Sequence, residues 1–250
     1  MVIVSMTSWV KRIKYVKSVA ESIMNNTVQP DRLYLNLSRK EFEGIELPQD
    51  LIDYFKSDER LVINWVEGEN TKSMKKIFPI LQYLNDDDII IDADDDILFP
   101  NDLIESRLKD FKDSGCKYCI SSNTSNSINF NRKMKVVSAM SLFQKKMFNH
   151  WEEFLTKEIY DTNNDDRTYL TLMWLNGYLN KSCSKYSIKD LLKSNYNLNL
   201  DDALSKNSQI RMGRFYDNIS SNVVYKITKK TIIDSFEFWK APSQLQRILR

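Results

Sequence analysis

Short apolar runs alternate with helical stripes along the first half of the chain. Val2-Ile3-Val4, Leu33-Tyr34-Leu35-Asn36-Leu37, Leu61-Val62-Ile63-Asn64-Trp65-Val66 and Asp88-Ile89-Ile90-Ile91 read as β-strands. Between the first two, Ile13, Val16, Ala20, Ile23 and Met24 recur at helical spacing over residues 11–24, with Lys and Glu on the other face, and Gln29-Pro30-Asp31 makes a turn. A short helix over 48–57 turns Leu51, Ile52 and Phe55 inward. After a polar loop at 68–73, with Thr71 or Ser73 as cap, a third helix carries the stripe Ile77, Ile80, Leu81 and Leu84. A fourth starts near Asn101, with Ile104, Leu108 and Phe111 inward. This β-α-β-α-β-α-β order predicts an α/β fold: a mostly parallel sheet flanked by helices on both faces.

The second half is less regular. Cys119-Ile120-Ser121 and residues 136–143 read as strands, separated by a Ser/Asn-rich loop over 121–131. Residues 165–178 read as a helix with Leu170, Met173, Trp174 and Tyr178 on one side, and Gly177 breaks it. Beyond Lys181 the chain is rich in Asn, Ser and Lys. The pattern predicts a main domain over 1–180 and a C-terminal extension over 181–250 that packs on it.

The fourth strand runs into Asp92-Ala93-Asp94-Asp95-Asp96. Carboxylates packed this closely repel one another and resist desolvation. An Asp run also serves as a helix cap, and Pro100 favours a helix start nearby. Ile89 to Ile91, however, are apolar without alternation, as in a strand covered on both faces. Ligands of open α/β sheets bind at the carboxyl ends of such strands. The run therefore reads as a site for Mg²⁺ or Mn²⁺, hard cations suited to oxygen ligands, which would in turn hold a diphosphate.

Composition removes other classes. The formal net charge is only +2, from 36 basic and 34 acidic residues, so no nucleic-acid partner is expected. Three cysteines suit a reducing compartment, and Cys116-x-x-Cys119 has no second pair to make a zinc site. The single histidine, His150, reads as structural. No Gly-x-Gly-x-x-Gly and no Gly-rich Lys-Ser/Thr loop is present, which disfavours dinucleotide enzymes and P-loop ATPases. Without a basic leader, or the roughly 18 apolar residues of a membrane span, a cytoplasmic protein is expected.

Four features together resemble the GT-A (Rossmann-like) glycosyltransferases of the bacterial family 2 type. They are the N-terminal strand leading through Thr7-Ser8-Trp9 into a helix, the segment Thr71-Lys72-Ser73-Met74-Lys75-Lys76-Ile77-Phe78-Pro79, the acidic motif Asp94-Asp95-Asp96-Ile97-Leu98-Phe99-Pro100, and Asp165-Asp166 opening a helix that ends in Leu175-Asn176-Gly177. The resemblance covers roughly residues 1–180. It implies a nucleotide-sugar donor, a UDP-sugar by default, and a Mn²⁺ or Mg²⁺ ion. Asp92-Ala93-Asp94 and Asp94-Asp95-Asp96 both have the Asp-x-Asp form. By the resemblance Asp96 is the direct metal ligand, with Asp94 on the metal or the ribose. Thr7, Ser8 and Asp95 would line the donor site, and Lys76 would hold the diphosphate, with Lys75 or Lys72 as alternatives. Asp166, paired with Asp165, would be the base that deprotonates the acceptor hydroxyl and inverts the anomeric carbon. Ordinary N-capping by the same pair is the plainer alternative.

The chain also departs from that family. No acid follows the second strand in Asn36-Leu37-Ser38-Arg39 to read a nucleobase; the first is Glu41. Ser138-Ala139-Met140 stands where relatives often have glycines, which would narrow the donor pocket. The expected acceptor is a glycan or lipid-linked oligosaccharide in surface polysaccharide synthesis, read by the less regular C-terminal acceptor region. Phe236, Phe238, Trp239, Lys240, Arg247 and Arg250 suggest either a peripheral membrane contact or a helix packing back on the domain. The rival readings are a metal-dependent nucleotidyl or phosphoryl transferase, and a non-enzymatic metal- or partner-binding module. Neither finds the extra motifs it would need: no further acidic pairs on neighbouring strands, and no EF-hand pattern.

Overall fold

A computed structural model describes residues 1–122, 140–155 and 165–193, with Tyr196 and Leu198. Seven strands form one sheet: β1 (Val2–Thr7), β2 (Arg32–Ser38), β3 (Leu61–Val66), β4 (Ile89–Ala93), β5 (Tyr118–Ser121), β6 (Leu142–Gln144) and β7 (Leu179–Ser182). Their order is β3-β2-β1-β4-β6-β5-β7. Only β6 runs against its neighbours, β4 and β5; every other pairing is parallel. The helices are α1 (Val16–Met24), α2 (Gln49–Lys56), α3 (Leu103–Asp113), α4 (Trp151–Phe154), α5 (Asp165–Leu175) and α6 (Ile188–Lys193). No helix of the described residues is long and apolar enough to cross a membrane.

The two central strands explain the apolar runs. Ile3, Val4 and Met6 on β1 and Ile90, Ile91 and Ala93 on β4 are fully buried, since both sheet faces are covered. Burying each large aliphatic side chain contributes about 1.5–3 kcal/mol. After β1 the chain crosses to β2 on one side, and after β3 it returns to β4 on the other. The carboxyl ends of β1 and β4 therefore flank the point where strand order reverses, the place where an open α/β sheet leaves a crevice.

Three sequence expectations meet corrections. The helix over 11–24 begins with a 3₁₀ turn at Ile13–Tyr15 and becomes α-helical only from Val16. The helix carrying Ile77, Ile80 and Leu81 is two 3₁₀ turns, Lys72–Lys76 and Phe78–Tyr83. Pro79, in the first turn of the second segment, accounts for the break between them, because its ring would clash with the carbonyl four residues back in a continuous helix. The stripe is buried all the same. Of the strand over 136–143, the described part is Leu142–Gln144, while Met140 takes a left-handed backbone with φ 62. The strand β7, the short helices α4 and α6 and the turn Lys145–Phe148 were not foreseen. The Ser/Asn-rich loop beyond Ser122, Ser138-Ala139 and the aromatic-basic tail lie outside the described residues.

Candidate active site

The crevice is built on buried polar groups that carry the sheet into the loops. The Ser5 hydroxyl, on β1, donates to the Lys76 carbonyl. The Asn36 amide, on β2, donates to Ser5 Oγ at 2.9 Å and to the Met6 carbonyl at 3.2 Å. Asn64 on β3 donates to Asn36 Oδ1 at 2.8 Å. This ladder pins the Lys72–Lys76 turn over the ends of β1 and β2, and it fixes where the Lys76 side chain begins. Thr7 sends its hydroxyl to the Asn36 carbonyl at 2.7 Å, so it serves the same ladder.

The acid run divides into four environments. Asp92 still belongs to β4 and is fully buried. Its Oδ1 accepts the Ser141 N–H at 2.8 Å. Burial pushes its carboxyl up to about 8; Lys76 pulls it down and Asp94 raises it further. Asp95 is also buried; its two oxygens accept from Ser8 Oγ at 2.7 Å and from Arg12 at 2.9 Å. Asp96 is half-buried and accepts from the same Arg12 nitrogen at 3.0 Å. Burial and then the charge of Asp94 push the Asp96 carboxyl up to about 6, with Arg12 opposing them. Asp94, also half-buried, takes the Lys76 ammonium at 2.5 Å.

Lys76 joins the run to the second acidic pair. Its ammonium lies 2.9 Å from Asp165 Oδ2, at the first turn of α5. Burial opposes its charge, but Asp165, Asp94 and Asp92 outweigh that effect and hold it protonated well above the ordinary lysine range. Asp166 lies in the same field. Burial and then the neighbouring Asp165 charge raise its carboxyl well above the usual value, against the pull of Lys76. The structure therefore brings together Ser8, Asp94, Asp95, Asp96, Lys76, Asp165 and Asp166. Thr7 stands one residue away and faces β2.

The alternative lysines lie elsewhere. Lys75 is buried, donates to Asn70 Oδ1 at 2.5 Å and lies 3.8 Å from Glu41. Lys72 is exposed. Glu41, the first acid after β2, also accepts from Asn70 at 2.8 Å. His150 is exposed beside Glu153 at 3.3 Å, and Cys116 and Cys119 are free thiols.

Two arginines were missed by the sequence reading. Arg12 stands among the cations Lys11 and Lys14 just before the first helix, and nothing local singles it out. Arg107 sits at helical spacing between Ile104 and Phe111, and an arginine on an apolar stripe is itself a signal of a buried, partnered charge. It is fully buried. It donates to the carbonyls of Met140 at 2.8 Å, Lys185 at 2.7 Å and Tyr186 at 2.8 Å, and to Ser122 Oγ at 3.0 Å. In this way it holds the segment that packs on Asp92.

The residues fit a hard divalent cation. Asp94 and Asp96 present oxygen ligands at the crevice mouth, and a cation there would relieve the burial and the Asp94 charge that together raise the Asp96 carboxyl. Among the described residues no three His, Cys, Asp or Glu side chains converge as a closed cage.

No family model and no curated protein sequence matches the chain. Solved structures do. A mannosyltransferase, PcManGT from Pyrobaculum calidifontis, solved in complex with GDP-Man and Mn²⁺, aligns with a TM-score of 0.60 at 16% identity, covering 99% of this chain and 67% of its own. S. aureus TarS 1–349 in complex with UDP aligns with a TM-score of 0.50 at 8% identity, covering 94% of this chain and 72% of its own. At such identities the likeness is one of architecture. The reversal of strand order at β1 and β4, the antiparallel β6 and the shared backbone path make this chain an α/β protein of the GT-A glycosyltransferase fold.

Proposed function

We propose that the protein is a metal-dependent glycosyltransferase that moves a sugar from a nucleotide-sugar donor to a hydroxyl of a glycan or lipid-linked acceptor. The observation that carries this reading is the meeting of the Asp94–Asp96 mouth with the Asp165–Asp166 pair in one crevice, across Lys76. The fold it shares with proteins solved with GDP-Man and Mn²⁺, and with UDP, supports it.

In this reading Asp96, with Asp94, holds Mn²⁺ or Mg²⁺. The ion supplies Lewis-acid relief of the charge that grows on the departing diphosphate. Ser8 and Asp95 line the donor side, tied to each other, and Arg12 bridges the Asp95 and Asp96 carboxylates through one nitrogen. Asp166 takes the acceptor proton. Its raised pKa would make it a better base than an ordinary carboxylate once it has lost its proton. The acceptor oxygen bonds to the anomeric carbon, the bond from that carbon to the phosphate oxygen breaks, and the nucleoside diphosphate leaves. Attack opposite the leaving group inverts the centre. A UDP-sugar is the default donor. A surface polysaccharide is the expected product, made on the cytoplasmic side with peripheral membrane contact by the tail. The domain division at residue 180 belongs to the same proposal.

Isothermal titration with UDP and GDP, with and without Mn²⁺, tests it on the wild type and on Asp96→Ala. Mn²⁺-dependent binding of one nucleotide, lost in Asp96→Ala, is expected. A folded wild type that binds neither would overturn the reading.

A further inference from the structure

The Lys76 ammonium lies at ion-pair distance from two carboxylates in the crevice, Asp94 on one side and Asp165 on the other. Only 10% of its side chain is exposed. Its root is rigid, because its own carbonyl accepts the Ser5 hydroxyl and the turn is tied to β2 through Asn36. A second tie runs in parallel. Tyr169, one helical turn after Asp165 and fully buried among Phe78, Phe143 and Phe148, points its hydroxyl at the Ser73 carbonyl, 3.5 Å away. The first turn of α5 is therefore docked on the Lys72–Lys76 turn at two points. One is an ion pair, and the other is a long polar contact on an aromatic anchor.

We infer that Lys76 is a positioning residue: it clamps Asp165, and through it the opening turn of α5 that carries Asp166, against the acid run. This inference rests on the glycosyltransferase reading for its catalytic meaning, and it replaces a diphosphate contact as the main task of Lys76. A phosphate ligand at the same ammonium would have to displace a carboxylate from a buried pair. A cation that reached the diphosphate as its main duty would instead leave Asp165 unpaired beside Asp166. Without Lys76, the four nearby carboxyls of Asp92, Asp94, Asp165 and Asp166 lose their shared counter-charge. The pair at the head of α5 is then pushed outward.

Hydrogen exchange of the 165–169 amides, read beside nucleotide titration, separates the two roles. The proteins are the wild type, Lys76→Met, Lys76→Arg and Asp165→Asn. Lys76→Met and Asp165→Asn are expected to speed exchange at the head of α5, with the amides of β1 and β4 unchanged. Lys76→Arg, which keeps the charge, is expected to restore protection. Affinity for the nucleotide with Mn²⁺ should stay within about threefold of wild type in Lys76→Met, while turnover, once a substrate pair is known, falls about 10²-fold, the usual cost of a misplaced base. Turnover in the Lys76→Met, Asp165→Asn double variant should fall no further than in the worse single one. Unchanged exchange at 165–169 in Lys76→Met overturns the inference. So does a nucleotide affinity weakened about tenfold or more with α5 still protected, the mark of a phosphate ligand. If Lys76→Met does not fold, Asp165→Asn reads the same clamp from its other end. A wild type that binds no nucleotide sinks the glycosyltransferase reading alone, since the exchange result stands without it.

Discussion

Asp92 and Asp96 sit on the same short run and meet opposite demands. Asp92 lies inside β4 with a backbone N–H on its oxygen and a carboxyl raised to about 8, so asparagine can replace it without losing that acceptor. Asp96 sits at the mouth, where its charge is the useful property. Asp92→Asn is therefore expected to keep Mn²⁺-dependent nucleotide affinity within about fivefold. Asp96→Asn is expected to lose it by about 10²-fold, a carboxylate ligand being exchanged for a neutral amide. Titration of both variants checks this, and equal losses would give the ligand role to the whole run. The sequence could not separate the two Asp-x-Asp spellings because spacing does not say where a strand stops. The structure divides them by burial: β4 ends at Ala93. Arg12 was illegible for a related reason, since its partners lie more than eighty residues away and nothing local marks it.

At the scale of elements, the strands and the first helices were readable because one physical rule, apolar burial on two faces or one, dominates them. The 3₁₀ turns around Pro79 were not read, since the apolar stripe has the same spacing whether or not Pro79 interrupts the hydrogen bonds. Strand β7 was missed because Leu179-Asn180-Lys181-Ser182 has almost no apolar content; it is held by parallel pairing to β5. Two side chains on α3 show how this less legible half is fastened. Arg107 binds three backbone carbonyls; without it those of Lys185 and Tyr186 lose this donor, while that of Met140 keeps Ser122 Oγ. Arg107→Leu is expected to cost about 3–5 kcal/mol in urea unfolding, and Arg107→Lys to recover little, because an ammonium cannot span the fork. At the head of α3, Asp102 accepts from Lys185 at 2.5 Å and from the Tyr186 hydroxyl. These bonds, Lys185 first, hold its carboxyl below the usual value. A carboxyl depressed in the folded state stabilises above its unfolded value and loses that contribution as pH falls through its folded value. Thermal melts of Asp102→Asn should therefore lie below wild type at pH 7 and converge with it in acid, below the ordinary carboxylate range. A gap that persists in acid would mean the asparagine harms packing rather than charge.

For the molecule as a whole, the small net charge of +2 hides an uneven distribution. The crevice gathers Asp92, Asp94, Asp95, Asp96, Asp165 and Asp166 around Arg12 and Lys76, so the proposed diphosphate donor is expected to need added positive charge to bind. The preferred nucleotide at about 100 times its Kd, with Mn²⁺, should stabilise the fold by about 2.7 kcal/mol. For a chain of this size that is a melting rise of about 5–10 °C. Chelation with EDTA should abolish the shift. A nucleotide shift that survives EDTA would argue for a metal-free donor site.

The placement of β6 also sets an order of assembly. Its three residues sit between β4 and β5, although β5 comes earlier in the chain. The block β3-β2-β1-β4 can close from residues 1–93, by two adjacent crossovers and one that passes back across β2 and β1. β5 has no edge to join until Leu142–Gln144 arrives, and β7 joins only through β5. Until then β4 presents a bare, apolar edge of the kind that pairs with other chains. The wedge strand is thus a late, long-range closure of the sort that slows folding, and weakening it should show first as aggregation during refolding.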